Sequence, residues 1–582
     1  MRCFKVLVLV LGLVYDLAAQ PFPSYPRNYF RSPVDSKIQL AGTFGELRSY
    51  HFHMGLDIKA HEGTPVKAAA DGYLFRAKIS ESGYGHVLYL NHPNGYTTVY
   101  AHLSRFTDTL EKFMHAEQYK IQSEEIDLCL PDTAFVFKKG DIIAWSGNTG
   151  HSAGPHLHFE IRDTKTEDAI NPLLFGIKVS DKIKPTIQGL KIYPITETSS
   201  VDGKNTAKYY SLKNTKSSAY KKNIIVKAWG EIAFAVQAHD LLEESSRCGI
   251  YEIFVYNEKK EKIFGQRIAR VGFDVSRDIN VYKDYSEFHD HSRHLHKTHI
   301  KGNNRLKVYT EKDKNGIIKI NGKDTTRYYI KAFDVAGNMD SVCITVIPVK
   351  TVIVPPKKTE CATPVEWANP FSYKSTGIDV EIPQGTLYND ACFHYWSKPR
   401  NEKTYSRIHA IWGNGEPLAG GFDLLIEPDT LIDSSLITKI LIVRTSDFKS
   451  VNPYTTACIT DSVDGRKIKF GTQPKSFGTF CLMADTVGPK IKPTGFKDSM
   501  QVSRISKEIA FEIKDELAGL KTTKIFINGC WVLGHFNLKK EKLFLLPHEI
   551  NLSKGYYPIK IEAVDFKDNV TILEKTVYWM GS

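Results

Sequence analysis

The stretch Gly154-Pro155-His156-Leu157-His158-Phe159-Glu160 decides how the first part of this chain folds. Side chains on a strand alternate between two faces. His156, His158 and Glu160 therefore share one face, and Leu157 and Phe159 share the other. The apolar pair marks a buried side, and the histidines mark a site. Gly147, Gly150, Gly154 and Pro155 let the chain enter this strand through sharp turns. Two other segments carry histidines. Arg48-Ser49-Tyr50-His51-Phe52-His53-Met54-Gly55-Leu56-Asp57 places His53 and Asp57 at a spacing that one strand face does not accommodate but a bend at Gly55 does. Tyr100-Ala101-His102-Leu103-Ser104 lies between the two in sequence.

A catalytic zinc takes three protein ligands, drawn from histidine nitrogen and carboxylate oxygen, and keeps one position open. The three segments together offer such a set with imidazoles left over to move protons. Glu160 follows on the same strand face, where it can fix a ring tautomer. Taken singly, each histidine reads as an ordinary core or surface residue. Taken together they point to metal-assisted amide hydrolysis.

The flanking sequence is that of an all-β unit from about Ile38 to Phe175. Thr64 to Leu74 reads as strand, turn and strand. His86 to Leu90 leads through Asn91-His92-Pro93-Asn94-Gly95 into Tyr96-Thr97-Thr98-Val99-Tyr100, a hairpin pattern rich in β-branched and aromatic residues. Lys138-Lys139-Gly140-Asp141 precedes another strand. Residues 107–123 interrupt the pattern, because Leu110, Phe113 and Met114 recur at helical spacing. This insertion reads as a short helix, either a wall of the cleft or a decorated loop.

The pattern His53-x-x-x-Asp57, His102, His156-x-His158 resembles the lysostaphin-like (LytM-type) zinc metallopeptidases, which cut bacterial peptidoglycan. The likeness covers roughly residues 40–165 and includes Phe44-Gly45, Ala69-Ala70-Asp71-Gly72, Lys139-Gly140-Asp141 and Ser146-Gly147-Asn148-Thr149-Gly150. It implies His53, Asp57 and His158 as zinc ligands and His102 and His156 as the non-ligand catalytic histidines. His156 would act as general base. His102 would bond the oxyanion or pass a proton to the leaving amine, and the two roles are exchangeable. His51 is expected to face away or to support a ligand. All positions of the pattern are filled, which argues against a non-catalytic relative. A peptidoglycan-binding scaffold or activator of other wall hydrolases is the alternative, and a zinc peptidase acting on ordinary proteins is a third reading.

At 582 residues the chain is long enough for three or four domains. The formal net charge of +12 is mild for this length and comes without a dense Lys/Arg tract, so no nucleic-acid partner is expected. Met1-Arg2-Cys3-Phe4-Lys5, the apolar run Val6 to Tyr15 and Leu17-Ala18-Ala19 read as a secretory signal peptide over 1–19. The expected location is exported, periplasmic or cell-envelope associated, with no transmembrane segment. Whether residues 21–32 fold over the cleft is left open.

A peptidase domain is expected at 35–178, followed by an immunoglobulin-like β-sandwich at 180–350, a β-rich domain at 363–485 and a second immunoglobulin-like sandwich at 488–582. An internal repeat supports the two sandwiches. Glu231 to Asp240 is echoed by Glu508 to Asp515, Tyr328 to Asn338 by Tyr557 to Asn569, and Lys182-Ile183-Lys184-Pro185 by Lys490-Ile491-Lys492-Pro493. The sandwiches would position the catalytic domain on the wall or bind a cell-envelope protein. Ile353 to Lys358 reads as an extended linker. The cysteines after the leader contain no Cys-x-x-Cys pair. Cys248 with Cys343, or Cys458 with Cys481, are candidate disulfides, and buried thiols are an equal alternative. His289, His291, His294, His296 and His299 read as a polar loop entering a strand rather than as a second metal site. Glu124-Glu125 and Glu243-Glu244 read as solvated surface.

Overall fold

The computed structural model describes residues 24–212, 222–242, 247–351, 361–412, 417–445, 451–460, 468–506 and 508–581. The leader, the Ile353–Lys358 linker and Glu243-Glu244 lie outside them.

Strand structure predominates, as the alternating patterns require. The N-terminal sheet contains β1 (Leu40–Gly42), β2 (Leu56–Lys59), β3 (Pro65–Lys67), β4 (Gly72–Ile79), β5 (His86–Asn91), β6 (Tyr96–Phe106), β7 (Ile126–Cys129), β8 (Val136–Phe137), β9 (Ile142–Ser146) and β10 (His156–Asp163). Its main path runs β1-β2-β10-β6-β5-β4-β7, and each neighbouring pair along it is antiparallel. One face packs on a core that includes Leu56, Ile58, Leu88, Leu90, Leu157, Phe159 and Ile161, all fully buried. Leu157, Phe159 and Ile161 are the odd positions of β10, so the even positions His156, His158 and Glu160 must face the other way.

The interruption predicted at 107–123 is the helix α1 (Asp108–Ile121). Leu110 and Met114 are buried, as their spacing requires, together with Gln118, and Phe113 is partly buried. Its outer side carries Tyr119, whose ring stands edge-on to Trp531 at 4.9 Å. Glu124, just beyond the helix, accepts the Phe536 amide at 2.8 Å. The insertion is thus a platform for the C-terminal strands, a third role beside the two that the sequence suggested. Glu124 is correspondingly not the solvated carboxylate expected.

Beyond the first sheet, three further apolar cores follow, at 187–346, 365–482 and 496–579. The repeat seen in the sequence is a repeat of register. Thr186–Pro194 lies antiparallel to Lys222–Leu241, and Lys490–Thr494 antiparallel to Ile509–Lys514. Thr326–Phe333 forms a hairpin with Met339–Pro348, and Gly555–Asp565 with Val570–Trp579. A parallel pairing recurs too: Lys222–Ala228 runs beside Val342–Pro348, and Met500–Val502 beside Val577–Trp579. The middle unit, whose topology the sequence did not reveal, has two five-stranded sheets on one core. Its disulfide joins Cys361 and Cys392. Neither pairing suggested by spacing forms: Cys248, Cys343 and Cys481 are buried thiols and Cys458 is an exposed one.

The strand Ala169–Ile170 pairs with Arg270–Val271, so the first sheet continues into the second unit. Phe44, Phe52 and Met54 pack there with Ile268, Val271 and Tyr282. Among the described residues, no helix is long and apolar enough to cross a membrane.

Candidate metal centre

The β2–β10 register sets His158 directly opposite Asp57. On its other side β10 pairs with β6, where His158 faces Ala101, the neighbour of His102. Cross-strand partners of this kind bring their Cβ atoms within roughly 5.5 Å, so pairing alone delivers two side chains to one point. His53 arrives from the loop before β2. That loop is tied down by the backbone bonds Gly45 N to His53 O, 2.8 Å, and His53 N to Glu46 O, 3.0 Å. Gly55 makes the required bend. A Cβ there would sit 2.5 Å from the Phe159 carbonyl and 2.9 Å from His158 Nε2, so the loop can lie against β10 only if this residue is glycine.

The donor atoms converge. Asp57 Oδ1 lies 2.9 Å from His53 Nε2 and 2.9 Å from His158 Nδ1, and the two nitrogens are 3.1 Å apart. The opposite edge of each ring is committed. His53 Nδ1 donates to the Thr43 carbonyl at 2.7 Å, and His158 Nε2 donates to Glu160 Oε1 at 2.8 Å. These bonds select tautomers that turn the free nitrogen of each ring inward. Two ring nitrogens and a carboxylate oxygen facing one point at such distances form a set that a proton or a metal cation between them satisfies.

The surroundings supply the charge balance. Burial opposes ionisation of Glu160, but Arg162 and His158 outweigh it and hold the carboxyl down to about 2. Arg162 Nε donates to Glu160 Oε2 and the Tyr84 hydroxyl to Oε1, both at 2.6 Å. On the other flank Arg48 Nη2 reaches Asp57 Oδ2 at 3.2 Å and Glu46 Oε2 at 2.9 Å. Burial likewise disfavours charge on His158, yet Asp57 and Glu160 lift it to about 9. Asp57 is partly buried, which opposes its charge, but its imidazole neighbours drive its carboxyl far below the usual range.

His102 and His156 stand beside this set. Their rings are 4.8 Å apart, and His102 is 5.9 Å from the ring of His158. His156 Nε2 lies 3.4 Å from Asp57 Oδ1, while its Nδ1 donates to the Gly154 carbonyl at 2.8 Å. His102 Nδ1 donates to the Thr149 carbonyl at 2.8 Å. His102 has a left-handed backbone, φ +59°, at a register shift between β5 and β6. Such a bulge turns one side chain out of the alternation, at a cost that structures bear mainly at functional sites. Burial, followed by the neighbouring histidines His158 and His156, pushes His102 down to about 3, so its ring is neutral.

The five site residues anticipated from the sequence are thus brought together, and His51 is exposed and outside the group. Tyr84, Arg162 and Glu46 were not anticipated, and Arg48 was quoted without a role. Arg162 could have been found, because it continues the even positions of β10 past Glu160. Tyr84 and Glu46 carried no local signal. The described part of the 21–32 segment packs elsewhere: Tyr25 and Phe30 lie against Phe175 at 4.9 and 5.4 Å, and Lys139 Nζ donates to the Tyr29 carbonyl. The C-terminal unit comes closer. Lys539 Nζ donates to the Ser152 carbonyl, and Ser152 Oγ lies 3.2 Å from His156 Nδ1.

Residues 51–119 match the Peptidase family M23 profile. The N-terminal sheet is an M23 peptidase domain. Over 150 residues the chain is 35% identical to the DD-carboxypeptidase/endopeptidase Mpg of Neisseria meningitidis, covering 26% of this chain and 25% of that protein. Over 144 residues it is 30% identical to the peptidoglycan DD-endopeptidase ShyA of Vibrio cholerae, covering 24% and 28%. The chain thus spans about a quarter of the length of these curated relatives. The solved catalytic domain of lysostaphin from Staphylococcus simulans is 28% identical, with 23% of this chain and 87% of that domain covered and a TM-score of 0.18. Residues 362–485, the middle unit beyond the M23 domain, match the Zu5-like domain.

Proposed function

We propose that the chain is an exported zinc endopeptidase that hydrolyses peptide stems or cross-links of bacterial peptidoglycan. The observation that carries this reading is the convergence of His53 Nε2, Asp57 Oδ1 and His158 Nδ1, with the two further histidines alongside. The donor set suits zinc: two imidazole nitrogens and one carboxylate oxygen, each group braced from behind by a second hydrogen bond or ion pair. His53, Asp57 and His158 would hold the ion. When bound, it supplies Lewis acidity toward the scissile carbonyl and a lowered pKa for a coordinated water. The M23 domain supports peptidase chemistry, and the relatives named above as peptidoglycan endopeptidases support the substrate class.

The chain's own residues then divide the proton work. His156 presents Nε2 inward, because its Nδ1 proton is spent on Gly154. That nitrogen lies 3.4 Å from Asp57 Oδ1, at the edge of the converging donor set. His156 is therefore the general base that takes the water's proton and returns it to the leaving amine. His102 also presents Nε2 with a lone pair, and its depressed pKa keeps it so. In that state it accepts a hydrogen bond and orients the water or the leaving N–H. Bonding an oxyanion would require it to be protonated, which burial opposes.

The test is digestion of defined sacculi by the purified protein, with and without a chelator, followed by mass spectrometry of the released muropeptides. Chelator-sensitive release of peptide-cleaved fragments is the expected result. Stoichiometric zinc without cleavage of several wall types would favour the scaffold reading instead.

A further inference from the structure

The repeat that links the second and last units also repeats three aspartates. Asp240 and Asp515 close the matching Glu-to-Asp segments. Asp334 and Asp565 lie in the matching Tyr-to-Asn segments. Asp181 and Asp485 precede the Pro-bearing first strands. In each unit the three meet, with one carboxylate oxygen of each within 4.8 Å of the others. The two trios differ in how they are satisfied. Asp565 Oδ2 accepts Asn569 Nδ2 at 2.7 Å just as Asp334 Oδ2 accepts Asn338 Nδ2 at 2.9 Å, but in the last unit Asp515 Oδ1 also accepts the Leu517 and Gly519 amides at 3.1 and 2.6 Å. In the second unit Asp240 is only 3% exposed, and its Oδ1 accepts no hydrogen bond.

That orphaned oxygen sits in a hostile place. Burial, and then the carboxylates of Asp181 and Asp334, push Asp240 up to about 7. Asp181 is raised by burial and by Asp334. Among the described residues, no lysine or arginine is ion-paired with these three. Buried carboxylates without a counter-charge either hold a proton or coordinate a cation. Asp181 and Asp240 line a cavity of about 180 Å³ that is also lined by Thr43, Gly249, Tyr251 and Val335, the neighbour of Asp334, at the seam between the M23 domain and the second unit. Such a space has room for waters, which need roughly 30 Å³ each.

We propose that Asp181, Asp240 and Asp334 bind a calcium ion at this seam. Calcium takes about six to eight oxygen ligands in flexible geometry, which three carboxylates and cavity waters can furnish. An all-oxygen set disfavours zinc, which prefers imidazole and thiolate, and magnesium demands a more regular octahedron. The ion would tie three separate elements together. Asp181 lies on the segment leaving the M23 domain, Asp240 near the end of the strand Lys222–Leu241, and Asp334 at the Thr326–Met339 hairpin turn. It would thereby fix how the M23 domain is held on the unit behind it. The proposal is independent of the peptidase reading, since none of the three aspartates touches His53, Asp57 or His158.

Terbium, a luminescent stand-in for calcium, tests this on the zinc-loaded full chain, with Tyr251 as the nearby sensitiser. The expected result is a terbium signal that calcium displaces and that Asp240→Asn and Asp334→Asn each remove. Thermal melting gives a second readout. Calcium should raise the Tm of the wild type by several degrees and leave that of Asp240→Asn unmoved. In calcium-free buffer Asp240→Asn should melt no lower than the wild type, because one of three mutually repelling charges is gone. If Asp240→Asn fails to fold, Asp334→Asn supplies the same comparison. A wild type that shows no calcium-dependent signal or shift overturns the proposal. So does a response of equal size in both variants.

Discussion

Two regions of this protein are rich in histidine, and only one of them forms a site. The first gathers His53, His102, His156 and His158 around Asp57. The second strings His289, His291, His294, His296 and His299 along one short segment. In the second, His289 and His291 are exposed on a surface helix. His296 is bonded to the Tyr282 hydroxyl at 3.0 Å and His299 to the Phe234 carbonyl at 3.3 Å. Burial pushes both of these down to about 3, so they are neutral members of the core. In the first region, carboxylates reverse the effect of burial and lift His158 to about 9. Histidine density does not make a metal site. Strand register that brings imidazoles onto a shared carboxylate makes a candidate for one.

The strongest way to break this contrast is to remove the shared carboxylate or a ligand. Asp57→Ala and His158→Ala should each lose bound zinc and drop muropeptide release to background, measured by metal analysis and by product yield. Next in size is His102→Ala, which should keep its zinc and lose roughly 10²- to 10⁴-fold in rate. Full activity in that variant would remove His102 from the mechanism. Glu160→Gln should weaken zinc affinity by about 10- to 100-fold. It should also lower the melting temperature, because the buried Arg162 loses its charged partner at a cost of about 3–5 kcal/mol.

A gentler test uses pH. The raised pKa of His158 means that, without metal, the ring carries an extra proton below about pH 9. Zinc must displace that proton, so lowering the pH weakens binding. Apparent zinc affinity, measured by chelator competition, should fall about tenfold per unit between pH 8 and pH 6 for one displaced proton. The smallest expected effect lies in the other histidine region. His289→Ala and His291→Ala should leave zinc content and rate unchanged and shift stability by no more than about 0.5 kcal/mol.

Much of the site was legible because strand periodicity is strict. His156, His158 and Glu160 had to share a face once Leu157 and Phe159 were assigned to the core. The bend at Gly55 followed from the spacing of His53 and Asp57. The helix at 108–121 announced itself through Leu110, Phe113 and Met114, but what it packs against did not, since Trp531 lies hundreds of residues away. For the same reason Tyr84 and Glu46 were invisible: they reach the site only through pairings made by the folded chain. The Cys361–Cys392 bond was missed because no local pattern marks which cysteines a sheet brings face to face. The repeat between the second and last units was readable as echoed strands, whereas its three converging aspartates emerge only when those strands are folded.

The measurement that bears most directly on the central claim is X-ray absorption at the zinc edge of the purified protein. One zinc per chain with two imidazole nitrogens and oxygen ligands near 2.0 Å, lost in His158→Ala, is the result expected from the geometry of His53, Asp57 and His158. A protein without zinc, or one whose zinc is bound through sulfur and survives that substitution, would contradict it.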